Sequence, residues 1–294
     1  MVNIYLLLAV TFWGLSFIGT KMALDYLSPF EIIAIRLVLG IPVLYLILKI
    51  KKTKYKFDRH DIMIILIAAI LLGVHFLIQA FGLIYTTATN TAWLIATIPV
   101  FIAVLSYFFL KERLTARKIS GIAIATVGVI LLVSQGKLDS LDWIESVGDW
   151  IILASCLTWS IYTIITRNIT RRIDPLAVSL GILIPPAVIL AAYTIFSSPM
   201  DKFADLPLSI VLVLIFLGVF CLGMAHWLWL EGLSKKGAVD VGVFLYFEPI
   251  VTTVAAIPLL GEKLTVFVIA GAILIISGVY LVEKRQSPRK SRIN

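Results

Sequence analysis

A few ionisable and polar side chains stand inside otherwise apolar stretches of this sequence. Glu248 lies near the middle of the apolar run 238–260. A charged group at that depth in hydrocarbon costs at least ~2.5 kcal/mol, which makes it a functional candidate by default. It could carry a proton, bind a substrate ammonium, or accept backbone N–H groups freed at the adjacent Pro249, and the sequence leaves these roles open. Arg36, two turns into the second apolar run, is expected to be structural, as a snorkelling or scaffold-pairing arginine. Contact with a substrate carboxylate is its alternative. His75 and Gln79 stand at i and i+4 and so share one helical face. They could bind substrate by hydrogen bonds or simply pack helices. His226, followed by Trp227 and Trp229, has the same two readings. Trp13, Ser16, Phe17 and Thr20 fall on one helical face, and Trp159, Tyr162, Thr163 and Thr166 repeat that spacing. With Phe247 these rings could line a cavity for apolar or cationic solutes, or fill space between helices.

The same inventory excludes other chemistry. The three histidines (His60, His75, His226) are scattered, one of them in a loop, so no cluster suggests a catalytic centre. Cys156 and Cys221 are too few for a disulfide framework or a metal site. No Gly-rich phosphate loop occurs, and the connections are too short for a nucleotide domain. Neither metal nor cofactor is expected. An integral-membrane enzyme would need converging nucleophiles or carboxylates, and a channel a more continuous polar lining; both rank below a carrier.

The elements that must position these residues are membrane helices. Apolar residues make up 61% of the chain and charged residues 14%, against roughly 45–50% and 25% in soluble domains. Runs near the ~20 residues needed to span a bilayer occur at 4–24, 30–48, 62–84, 88–110, 118–134, 148–166, 176–197, 208–230, 238–260 and 265–283. The net charge of +8 does not point to nucleic acid, because the basic residues sit in short clusters between these runs. With the N-terminus inside, 20 of the 25 Lys and Arg face the cytoplasm and four face out. The positive-inside rule then predicts a multi-pass cell-membrane protein with both termini cytoplasmic.

The run 92–132 recurs at 242–282, with a constant shift of 150 relating Pro99 to Pro249, Glu112 to Glu262, Gly121 to Gly271 and Gly128 to Gly278. Trp13 and Trp159, like Pro29 and Pro175, are related by a shift of 146. The chain is therefore expected to be an all-α integral membrane protein of ten transmembrane helices. Its parts are a five-helix repeat at 1–134, an acidic external linker at 135–147, a second repeat at 148–284 and a basic cytoplasmic tail at 285–294. Five spans per repeat invert the second copy relative to the first, an architecture of secondary transporters that hold substrate near the midplane. Pro99 and Pro249 are expected to open or bend their helices and serve as hinges. Glu112 and Glu262 are read as structural clamps between consecutive helices. Asn90 and Asp240 are read as helix caps.

The W-G-x-S-F run at Trp13–Phe17, Arg36, the P-x12-E-x-L-T pattern of both repeats and the pair Glu248–Pro249 resemble the EamA-type ten-helix permeases of the drug/metabolite transporter superfamily. The likeness spans nearly the whole chain. It implies a small-molecule substrate and export of amino acids or related metabolites by alternating access. The cavity it implies is lined by helices one, three, four, six, eight and nine. A multidrug or amine carrier, or a nucleoside or nucleotide-sugar carrier, is the alternative within that superfamily. Protons are a candidate coupling ion, and the protein is expected as monomer or homodimer.

Overall fold

A computed structural model describes residues 1–52, 55–134, 146–199, 201–260 and 265–283. Glu262, most of the linker 135–147 and the tail 285–294 lie outside them. The described chain forms ten helical rods. In the first half they are α1 (Val2–Leu24), α2 (Pro29–Lys51), α3 (Arg59–Tyr85), α4 (Ala88–Leu110) and α5 (Ala116–Ser134). In the second half they are α6 (Val147–Arg172), α7 (Pro175–Ser197), α8 (Leu208–Lys235), α9 (Ala238–Leu260, in three pieces) and α10 (Val266–Glu283). Among the described residues nine rods are long and apolar enough to cross a membrane. The tenth, α5, carries Arg117 and Lys118 in its first turn; it packs along α10.

Local chemistry sets where the rods begin. Ser28 and Glu31 form a reciprocal capping box at the start of α2, with Pro29 at the first helical position. Asp58 with Asp61 does the same for α3, and Ser146 with Asp149 for α6. These side chains satisfy N–H groups that a helix end leaves without intrahelical partners. Asp58 lies outside the spans, and the N–H of Asp61 that it accepts holds its carboxyl below the usual value.

The two halves are related by inversion. α3 packs on α6, and α8 on α1, its counterpart pair; α2 packs on α7 and α5 on α10. The α5–α10 contact shows the direction. A Cβ added to Gly121 would stand 2.7 Å from the carbonyl of Gly278, and one on Gly128 would stand 2.8 Å from that of Gly271. The early residue of one helix meets the late residue of the other, so equivalent helices run antiparallel. The small-residue stripe lets their backbones touch.

Three rods are irregular. α4 is interrupted between Ala88–Ile95 and Ile98–Leu105, immediately before Pro99. α9 carries a 3-10 turn at Val243–Tyr246, immediately before Phe247–Glu248–Pro249. α8 holds a π-helical stretch at Leu217–Met224, which the sequence did not lead one to expect.

The tight crossing can be tested. Gly128→Val and Gly271→Val each place a side chain against backbone, which cannot yield as a side chain can, and overpacking typically costs ~1–3 kcal/mol. Both should lower the thermal midpoint in detergent clearly. Gly73→Ala, whose Cβ would meet only Pro186 Cβ at 3.2 Å, should lower it less. Equal midpoints for all three would show that the glycine stripe does not set the α5–α10 distance.

Candidate functional site

A cavity lies at the centre of the bundle, where the two helix breaks meet. α1 contributes Trp13, Ser16 and Phe17; α2 contributes Arg36; α3 contributes His75, Phe76 and Gln79. Ile95 and Ile98 come from the break in α4, Trp159 from α6, and Leu245 and Glu248 from the break in α9. A water-sized sphere can occupy about 30 Å3 of it, roughly room for two waters. This is a contracted cavity, and a metabolite fits only if the walls move.

Each break follows from its proline. A proline lacks the N–H that would bond the carbonyl four residues earlier. For Pro99 that residue is Ile95 and for Pro249 it is Leu245, and both line the cavity. Those carbonyls are candidate acceptors at the cavity wall, where irregular backbone is tolerated in a membrane protein. α1 lies close enough to brace the second break: Thr252 Oγ1 donates to the Gly14 carbonyl at 2.9 Å. A Cβ on Gly14 would stand 3.1 Å from the Glu248 carbonyl and 2.9 Å from Val251 Cβ.

Three ionisable groups reach the cavity from three elements. Glu248 is 1% exposed, and its Oε1 has no hydrogen-bond partner. Arg36 is 4% exposed; its Nη1 makes a long contact of 3.5 Å to Thr20 Oγ1, its guanidinium lies 5.5 Å from the centre of the Phe76 ring, and its Nε is unpartnered. His75 Nδ1 is 3.0 Å from the Ser155 carbonyl and 3.2 Å from Thr158 Oγ1. That contact fixes the ring against α6, with its centroid 5.0 Å from that of Trp159. Trp13 donates from Nε1 to the Cys221 carbonyl at 2.8 Å and meets Trp159 edge-on at 5.0 Å.

The duplication sharpens the asymmetry. Counterparts of Arg36, His75 and Glu248 are Ile182, Ala225 and Ile98. All three ionisable groups are therefore present once, within a scaffold that is present twice. Such a wall offers a carboxylate, a guanidinium and an imidazole to a solute, with aromatic faces for its apolar part.

Several expected residues stand behind the wall. Trp229 packs on Trp13 and Trp159, with centroids 5.4 and 5.7 Å away. Tyr162 and His226 are buried and hydrogen-bonded to each other at 2.6 Å. Phe247 is half-buried against Phe244. Helix eight thus supports the wall without entering it, and helix two, through Arg36, enters instead. Phe76, Ile95, Ile98 and Leu245 were missed. The proline rule above would have picked out Ile95 and Leu245, and Phe76 is the counterpart of His226 at the shift of 150.

Glu112 departs from its expected partner. It does not join consecutive helices, but accepts from the backbone N–H of Ala238 at 2.8 Å and of Val239 at 3.4 Å, capping the start of α9 from the other half. The helix's orphan amides draw it there. Nor do Asn90 and Asp240 cap helices. Thr87 caps α4, Asn90 Nδ2 donates to Asp149 Oδ1 at 2.5 Å, and Asp240 pairs with Lys118 at 2.5 Å.

The fold recurs in known proteins. A solved crystal structure superposes with a TM-score of 0.75 at 18% identity, over 95% of this chain and 94% of that one. An uncharacterized transporter of Archaeoglobus fulgidus is 31% identical over 293 residues, covering 96% of this chain and 98% of its own. The uncharacterized transporter YyaM of Bacillus subtilis is 28% identical, covering 94% and 92% respectively. Residues 1–134 and 146–283 each match the EamA-like transporter family, and the chain, with apolar helices long enough to cross a membrane and a likeness that runs through both halves, belongs to that family.

Proposed function

We propose that this membrane transporter is a secondary carrier that exports a small zwitterionic metabolite of the amino-acid class by alternating access. The supporting observation is the single set of Arg36, His75 and Glu248 around one contracted cavity. In this reading Arg36 takes the substrate carboxylate, Glu248 its ammonium or a coupled proton, and Trp13, Phe17 and Trp159 its side chain. His75 and Gln79 orient the solute by hydrogen bonds. The repeats at 1–134 and 148–284 rock against each other, with the breaks before Pro99 and Pro249 as hinges. The excess of Lys and Arg on one side supports a cytoplasmic position for both termini.

A carrier of organic amines is the second reading, favoured by the aromatic wall, since a cation over ring faces needs no carboxylate partner. Arg36 separates the two. In proteoliposomes Arg36→Gln should cut amino-acid flux by about tenfold or more, the loss of one charge-assisted contact. Under the amine reading amine flux persists in the variant and wild type never moves amino acids saturably.

Glu248→Gln tests coupling separately. The variant should keep saturable exchange but lose the stimulation of efflux by a pH gradient. Stimulation equal to wild type would remove the proton from Glu248.

A further inference from the structure

At the end of the bundle where α1 begins and α10 ends, a vestibule of about 310 Å3 opens between the α4–α5 turn, the last turns of α6 and the first turn of α9. Arg113 and Lys118 enter it from the first half, Arg167 and Arg171 from the second. Its acids are Glu112 and Asp240, and both are engaged. Glu112 gives its oxygens to the amides of Ala238 and Val239, leaving it 3.9 Å from Arg167 Nε, beyond hydrogen-bond reach. Asp240 faces Lys118.

Arg167 is consequently left incomplete. It is only 3% exposed, yet its Nε and Nη1 are buried without a hydrogen-bond partner. Unmade hydrogen bonds on a buried charged donor are among the costliest defects a fold can carry. Water could satisfy those N–H groups, but it would leave the charge surplus. Four cations against two carboxylates give the vestibule two net positive charges, matching a dianion with several acceptor oxygens. Planar guanidinium groups suit phosphate oxygens in particular.

We propose that this vestibule binds a phosphate-type anion, held by Arg167 and Arg171 of the second half and Arg113 of the first. Such an anion bridges the two halves and holds this face of the bundle closed. The chemistry is shared by free phosphate and by the phosphomonoester head of an acidic lipid. The site is remote from the central cavity in composition, and its test needs no flux, so it stands apart from the carrier reading.

The experiment is thermal unfolding of the full chain in phosphatidylcholine nanodiscs. Inorganic phosphate should raise the midpoint saturably above that in chloride at equal ionic strength. Arg171→Gln, at an exposed position that folding tolerates, should raise the phosphate concentration for half-maximal stabilisation about tenfold. Lys111→Gln, on the same α4–α5 turn but outside the vestibule, should leave it unchanged. If phosphate has no effect but phosphatidic acid in the discs stabilises wild type and not Arg171→Gln, the anion is a lipid headgroup. No shift from either source, or a shift that survives Arg171→Gln, overturns the proposal.

Discussion

In hydrocarbon a backbone carbonyl has no water to turn to, so an interrupted helix is tolerable only where it faces protein or a cavity. Pro99 and Pro249 impose two such interruptions. Because the halves are inverted, both fall at the same depth and meet across the same central space. The cavity lies where those interruptions converge, with Ile95, Ile98, Leu245 and Glu248 on its wall. The close approach of Gly14 to the Glu248 backbone holds α1 against the second interruption.

Duplication supplies a symmetric frame, and single substitutions make it asymmetric. A carboxylate at 248 with isoleucine at its counterpart 98, or an arginine at 36 with isoleucine at 182, costs the fold one buried charge where symmetry would have imposed two. The bulky residues at the complementary positions fill the other side. Tyr162 and His226, counterparts of Ser16 and Phe76, are buried and hydrogen-bonded to each other. The ionisable groups thus stand on one side of the pseudo-symmetric space only, with Ile98 facing the cavity opposite the Glu248 position.

The rods, their inversion and the helix breaks were legible because bilayer thickness, residue periodicity and proline chemistry act locally along the chain. The repeat offset alone paired Gly121 with Gly271, and Gly128 with Gly278. Partner choice was not legible. Nothing near Glu112 announces that it will cap a helix beginning 126 residues later, and nothing near Arg36 says that it will turn to the cavity rather than to a carboxylate. His226 and Trp229 share the helical spacing of wall residues, yet the π-helical stretch of α8, invisible to a 3.6-residue template, precedes them directly. Side-chain direction after such a stretch depends on a register that sequence spacing does not carry.

The two ends of the bundle close by different chemistry although they derive from one ancestral end. Lys21 and Arg167 are counterparts at the shift of 146. Lys21 docks on the closing carbonyls of α3, donating to Leu83 at 2.5 Å and to Thr86 at 2.8 Å, where a cation complements the helix dipole. Arg167 finds no such carbonyls and faces a carboxylate already committed to α9. Likewise Asp149 is tied to the neutral groups of Thr86 and Asn90, whereas its counterpart Asn3 meets Glu283, which pairs with Lys236. The end that carries Lys21 also holds the ion pair of Glu31 with Lys202, so charges occur at both ends. Among the described residues, only the other end gathers several cations whose pairing salt screens and anions can compete for.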